Sequence, residues 1–163
     1  MTSIALPMTL EMSILTGPPF SVVVGQDPLD REDRGLSSIV GLGRSEAESQ
    51  LLELLDECRE PDWDGYGAHP TTMRAVEAAI RLLRTLPTSV PVPSVAADPD
   101  GSVILAWHVG GRGRMLINLT SDSILSYAAL FENGNRCRGT ERFVCDAPRS
   151  VVQVLRELTA RVC

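Results

Sequence analysis

The sequence predicts an α+β fold: a helical hairpin, then a four- to five-stranded antiparallel β-meander, then a C-terminal helix packed on the sheet. Three observations predict it. Apolar residues recur at helical spacing from residue 45 to residue 86, the period changes to two after Ser94, and helical spacing returns beyond Pro148. Helices kept apart from a run of strands define that architecture. The helices are expected to cover one face of a twisted sheet and to leave the other partly solvated, where a partner could sit.

Residues 1–44 are expected to form an extended or partly disordered arm ahead of a single α+β domain spanning 45–163. The arm holds Pro7, Pro18, Pro19 and Pro28 and the charged cluster Asp30–Arg34, and no helical period persists in it. Ser45-Glu46-Ala47-Glu48 has the pattern of a capping box, placing a helix start at Ser45. Ala47, Leu51, Leu54, Leu55 and Cys58 then share one face, and the helix ends near Arg59 because Pro61 follows. Thr71 or Thr72 caps a second helix, with Met73, Val76, Ile80 and Leu83 as its apolar stripe and Leu86-Pro87 as its stop.

Pro87, Pro91 and Pro93 stiffen the next stretch, and Ser94 to Asp98 begins a strand. Pro99-Asp100-Gly101 reads as a turn. Val103, Leu105, Trp107 and Val109 alternate along one strand, and Met115, Ile117 and Leu119 along another. Ile124 to Phe131 and Arg136 to Phe143 supply two more, separated by the hairpin dipeptide Asn133-Gly134. Asp146 is expected to cap a final helix with Pro148 in its first turn and with Val151, Leu155, Leu158 and Val162 buried.

Composition excludes several chemistries. The chain has 163 residues, 44% hydrophobic, with a net charge of −6. All 15 basic residues are Arg, so no lysine amine exists for a Schiff base, a P-loop or a kinase ATP site. The two His, His69 and His108, are too few for a three-His zinc site. Cys58, Cys137, Cys145 and Cys163 form no Cys-x-x-Cys pair. No apolar run reaches the roughly 18–20 residues of a membrane span. The start has no signal-peptide pattern, and a cytoplasmic protein with reduced thiols is expected. No cofactor and no metal are expected.

The most unusual segment is Asp62-Trp63-Asp64-Gly65-Tyr66-Gly67-Ala68-His69-Pro70. Read as chemistry, Asp62, Asp64 and His69 could hold a divalent metal or act as acid and base. Read as structure, the carboxylates would bond to turn amides, while Trp63 and Tyr66 plug the gap between helices and sheet. The structural role is the favoured one.

This loop resembles a motif. A Leu-rich helix, then Asp-Trp-Asp-Gly-Tyr-Gly-Ala-x-Pro, a helix ending Leu-Pro, then Pro-Asp-Gly and a strand carrying Trp107 are similar to a family of small bacterial proteins. That family has no assigned activity and is associated with prophages and other mobile elements. The resemblance spans about residues 47 to 131. It implies a context and no mechanism. Ala106 precedes Trp107 where the resembling sequences often carry Glu; if that Glu is catalytic in the family, its absence here counts against an enzyme.

Charge is asymmetric. Residues 1–66 hold 13 acidic side chains against 4 Arg, whereas residues 101–145 hold Arg112, Arg114, Arg136, Arg138 and Arg142 against Asp122, Glu132 and Glu141. Arg136, Arg138 and Arg142 have the even spacing of one strand face, and with Arg112 and Arg114 they could form a patch for an anionic partner. A charged edge strand that resists aggregation accounts for the same residues.

The expected function is a non-enzymatic cytosolic protein that binds and neutralises another protein, of the antitoxin, immunity or phage-encoded inhibitor type. Its first contact candidates are Glu53, Asp56 and Glu57, with Asp62, Trp63, Asp64, Tyr66 and His69 from the loop. Acidic groups would steer a basic partner, and the loop aromatics would anchor it. One alternative is a small metal-dependent hydrolase or nuclease, itself a toxin, using the Asp62–His69 loop. A second is an RNA-binding regulator using the Arg-rich strand, which requires that the Arg patch face one way.

Overall fold

The computed structural model describes residues 39–160, with side chains from residue 43. The expected arm lies outside these residues up to residue 38, and its end falls inside the first helix, α1 (Ile39–Glu57). Ser45 is an exposed interior residue of α1, so the capping box does not start it. Gly41 and Gly43 lower helix propensity and conceal the earlier turns. Tertiary contacts override that propensity. A Cβ on Gly43 would lie 2.9 Å from Val92 Cγ2, so the missing side chain lets α1 approach the segment before the sheet. The Arg44 guanidinium donates to the carbonyls of Leu86 (2.8 Å) and Pro87 (2.7 Å), tying the same region down.

From Ala47 onward α1 buries Ala47, Leu51, Leu54 and then Cys58 just beyond its end, as its periodicity predicts. The second helix, α2 (Met73–Thr85), is capped by Thr72, whose hydroxyl accepts from the Ala75 N–H. Its buried face is Ala75, Val76, Ala78, Ala79, Leu82 and Leu83. Met73, expected on that face, is the first residue of α2 and is 51% exposed. The alanines let the two helices pack closely, which large residues at those positions would prevent.

Arg84 of α2 grips Glu48 of α1 through two bonds, Nε to Oε1 at 2.9 Å and Nη2 to Oε2 at 2.6 Å. The bonds from Arg84 hold the Glu48 carboxyl below the usual carboxylate range against a smaller opposing effect of burial. A lowered folded-state pKa contributes stability above the ordinary glutamate pKa and loses it as pH falls through the folded value. Glu48→Gln is therefore expected to lower the melting temperature by roughly 1–3 °C at pH 7 and by progressively less as the pH falls toward 3. Thermal scans of both proteins across that range check it, and an equal loss at both pH values would show the effect is not ionic.

Five antiparallel strands follow as a meander: β1 (Ser94–Ala97), β2 (Val103–Val109), β3 (Gly113–Leu119), β4 (Ile124–Phe131) and β5 (Arg136–Arg142), in spatial order β1-β2-β3-β4-β5. Each strand pairs with its sequence neighbour, so short turns suffice throughout. Val103, Leu105 and Trp107, then Met115, Ile117 and Leu119, then Leu125 and Ala129 line one buried face. The buried Trp107 donates its indole N–H to the Pro91 carbonyl at 2.8 Å. Phe143, just past β5, is fully buried.

The last helix, α3 (Arg149–Thr159), packs on β3 and β4 through Val151, Val154, Leu155 and Leu158. Pro148 is its N-cap and no side chain bonds to the first turn, so neither the Asp146 cap nor Pro148 inside the helix is realised. Ser150 is engaged elsewhere, donating its hydroxyl to the Glu141 carboxylate of β5. Val162 and Cys163 lie outside the described residues. α1 packs on α2 and β1, α2 on β2 and β3, and α3 on β3 and β4. The three helices share the buried core of one sheet face, as the sequence predicts. Among the described residues no helix is long and apolar enough to cross a membrane.

Candidate functional site

The Asp62–Pro70 loop joins α1 to α2 and is built by its carboxylates. Asp64 Oδ1 accepts the N–H groups of Tyr66 (2.8 Å) and Ala68 (3.1 Å), and Asp62 Oδ1 accepts the Gly67 N–H at 2.6 Å. Asp62 also bonds through its backbone, its N–H to the Ala68 carbonyl at 2.8 Å and its carbonyl from the Gly65 N–H at 2.9 Å. Gly65 and Gly67 take φ of 74° and 90°, which a glycine adopts without strain. Asp62 itself sits at φ 63°, where aspartate is among the better-tolerated residues.

Three further bonds close the loop, tie it to the β1–β2 turn and join the residues that flank it. The Trp63 indole N–H donates to the His69 carbonyl (2.9 Å), the His69 N–H to the Pro99 carbonyl (2.8 Å), and the Thr71 N–H to the Cys58 carbonyl (2.9 Å). Trp63 is half-buried against the core and fills part of the gap assigned to it. Tyr66 does not. Its ring is 86% exposed, because the bonds to Asp64 and the two positive-φ glycines turn the chain outward at that point. His69 is exposed, and only its backbone is engaged. Among the described residues no three His, Cys, Asp or Glu side chains are grouped as metal ligands.

Glu53, Asp56 and Glu57 are exposed on the last turns of α1, beside the half-exposed Leu52. Asp56 pairs with exposed Arg59 at 2.8 Å, and α1 otherwise presents carboxylates to solvent there. The neighbouring Cys58 is buried. Desolvation, with help from the Glu57 charge, pushes its thiol up, away from the reactive thiolate. In the β1–β2 turn, burial likewise raises the Asp98 carboxyl, although it accepts the Asp100 N–H.

The second cluster lies across the sheet. Strand register places His108, Arg114, Leu130 and Arg136 in one row on the face opposite the helices. Ala106, Leu116, Ala128 and Arg138 form the next row. Ile104, Asn118, Ser126 and Thr140 follow, with a 3.1 Å hydroxyl contact between Ser126 and Thr140. Ile124 and Arg142 pair at the far end. Arg114, Arg136, Arg138 and Arg142 thus share one face and are exposed. Arg112 precedes β3 in the β2–β3 turn, half-buried, with its backbone bonded to Val109 and Glu132.

These rows contain no carboxylate. Glu141, the acidic residue within β5, has the opposite parity and turns toward Ser150 of α3. The sequence marks the Arg residues as a patch but does not join His108 or Leu116 to them. Alternation places both on that face, yet only register sets them beside the Arg residues. Compared with models of known families, with curated proteins and with solved structures, the chain matches none.

Proposed function

We propose that this chain is a non-enzymatic protein that recognises another protein through the Tyr66 loop and the acidic end of α1. Its class is the antitoxin, immunity or phage-encoded inhibitor type, acting in the cytoplasm. The observation that carries this reading is Tyr66: an aromatic residue 86% exposed on a loop whose backbone is tied by its own carboxylates. An aromatic presented on a backbone that is already ordered spares the loop's ordering entropy on binding, which is the property of an interface anchor. Glu53, Asp56 and Glu57 add a negative field that draws in a basic surface. The loop's likeness to mobile-element proteins fits that context, and the Asp62 and Asp64 oxygens accept loop N–H groups.

The test is co-purification of the C-terminally tagged chain from its native host or nearest available relative, with partners identified by mass spectrometry. Tyr66→Ala is expected to leave the melting temperature within about 2 °C, since the ring is exposed. It is also expected to reduce recovery of a stoichiometric partner at least tenfold. Charge reversal at Glu53, Asp56 and Glu57 is expected to slow association and reduce its salt dependence. A partner recovered equally well by both variants would show that recognition lies elsewhere.

A further inference from the structure

The sheet face opposite the helices is uncovered among the described residues, and its chemistry is uneven in an ordered way. Basic groups occupy two sides: Arg136, Arg138 and Arg142 along edge strand β5, and His108, Arg114 and Arg136 along one end row. Between them one row is small or aliphatic, with Ala106 and Ala128 flanking Leu116, which is 47% exposed, and the next carries the uncharged polar side chains Asn118, Ser126 and Thr140. Ile124, at the opposite end of β4, is 37% exposed. No carboxylate interrupts this surface, although the chain carries a net charge of −6.

We propose that this face docks an acidic amphipathic α-helix of a partner protein. The inference is independent of the Tyr66 loop, which belongs to the helix layer. Dimensions support it. Arg136 to Arg142 spans about 20 Å along an extended strand, the length of about 13 helical residues, or nearly four turns. Strands lie about 4.8 Å apart, so Leu116 on β3 and Arg138 on β5 are about 10 Å apart across β4. That separation is the width of a helix. Ala128 lies between them on β4 and leaves room for the helix to rest there. An apolar stripe would then meet Ala128, Leu116 and Ile124, and carboxylates on one flank would meet the β5 guanidinium groups, with bidentate geometry available to each.

Edge protection and nucleic-acid binding both fit this face less well. A charged edge that only prevents sheet-to-sheet pairing requires cations on β5, but Arg114 lies on β3, in the middle of the sheet. Single-strand binding surfaces stack bases mainly on Phe, Tyr or Trp, and these rows contain none, His108 being their one aromatic ring. An uncharged centre of small, aliphatic and hydroxyl or amide side chains bordered by Arg is the composition of a protein interface.

The experiment titrates the full-length, ¹⁵N-labelled chain with three probes. One is a 14-residue helix-forming peptide with a Leu stripe and Glu along one flank, the second is its Glu→Gln twin, and the third is a uridine oligonucleotide of the same net charge as the first. The acidic peptide is expected to shift amides of β3, β4 and β5, and its twin to bind at least tenfold more weakly. Arg138→Glu and Arg142→Glu are each expected to weaken the acidic peptide at least tenfold, and Leu116→Thr about fivefold. Circular dichroism and melting curves confirm that the variants fold. Oligonucleotide binding that matches or exceeds the peptide's, or peptide binding that is indifferent to Leu116→Thr, overturns the proposal in favour of a nucleic acid or a purely ionic surface. Self-association abolished by Arg138→Glu assigns the face to a second copy of this chain instead. Absence of binding by any probe also overturns it.

Discussion

Asp64→Ala is expected to lower the free energy of unfolding by about 2–3 kcal/mol at pH 7, with no divalent metal involved. The Asp64 carboxylate accepts two loop amides, those of Tyr66 and Ala68. The Tyr66 amide can turn to water when its acceptor is lost, but Ala68 is buried and its carbonyl accepts the Asp62 N–H. Freeing that corner loosens the turn that presents the His69 N–H to Pro99 and the His69 carbonyl to Trp63. Asp64→Asn keeps an acceptor oxygen in place and loses only the charge, so about 1 kcal/mol is expected. Urea unfolding of the three proteins measures both values, and melting curves with and without millimolar magnesium or manganese complete the test. A metal-dependent rise in melting temperature that Asp64→Asn abolishes, with otherwise unchanged stability, would make the carboxylate a ligand and revive the hydrolase reading.

The loop and the meander differ in how far residues alone reveal them. The five strands were legible because alternation is a local signal: Leu105, Trp107, Met115 and Ile117 mark the buried side wherever the strands pair. The structural use of Asp62 and Asp64 was legible as well, since short carboxylates between glycines satisfy turn amides. The outward turn of Tyr66 was not, because it depends on positive φ at both Gly65 and Gly67. The start of α1 was hidden for a different reason. Its glycines disfavour helix locally, and the compensating contacts with Val92, Leu86 and Pro87 come from residues more than forty positions away.

The Arg face shows where local pattern stops and register begins. Even spacing predicts that Arg136, Arg138 and Arg142 share one side of a strand. It cannot predict that Arg114 joins them, because that follows from the pairing of Arg114 with Leu130 and of Leu130 with Arg136. Nor does composition reveal that the face lacks carboxylates, which requires that Glu141 turn inward to Ser150. The condition set for an anion-facing patch, that its Arg residues point one way, is met by four of the five, with Arg112 left in a turn.

The row that carries Arg114 and Arg136 depends on one backbone position, and substituting it has the largest expected effect. Gly113 opens β3 at φ 140°, a conformation effectively reserved for glycine. A Cβ there would lie 2.1 Å from the Leu130 carbonyl oxygen and 2.8 Å from the Phe131 Cα. Both atoms are backbone of the adjacent strand, so no side-chain rotation relieves the overlap. β3 must separate from β4 at the end where the Glu132 N–H bonds to the Arg112 carbonyl at 2.7 Å. Gly113→Ala is therefore expected to cost more than about 3 kcal/mol, the sum of backbone strain and lost pairing. Gly111, two residues earlier, supplies the control. Its φ is also positive, at 68°, but a Cβ there meets nothing within 4 Å. Gly111→Ala then carries only the left-handed penalty of about 1–2 kcal/mol, and Gly111→Asn less because asparagine tolerates that region. Urea titration of the three variants separates steric overlap from conformational strain. Equal losses at the two glycines would mean that β3 and β4 are not in close contact at Gly113, and that the basic row is not held as the register describes.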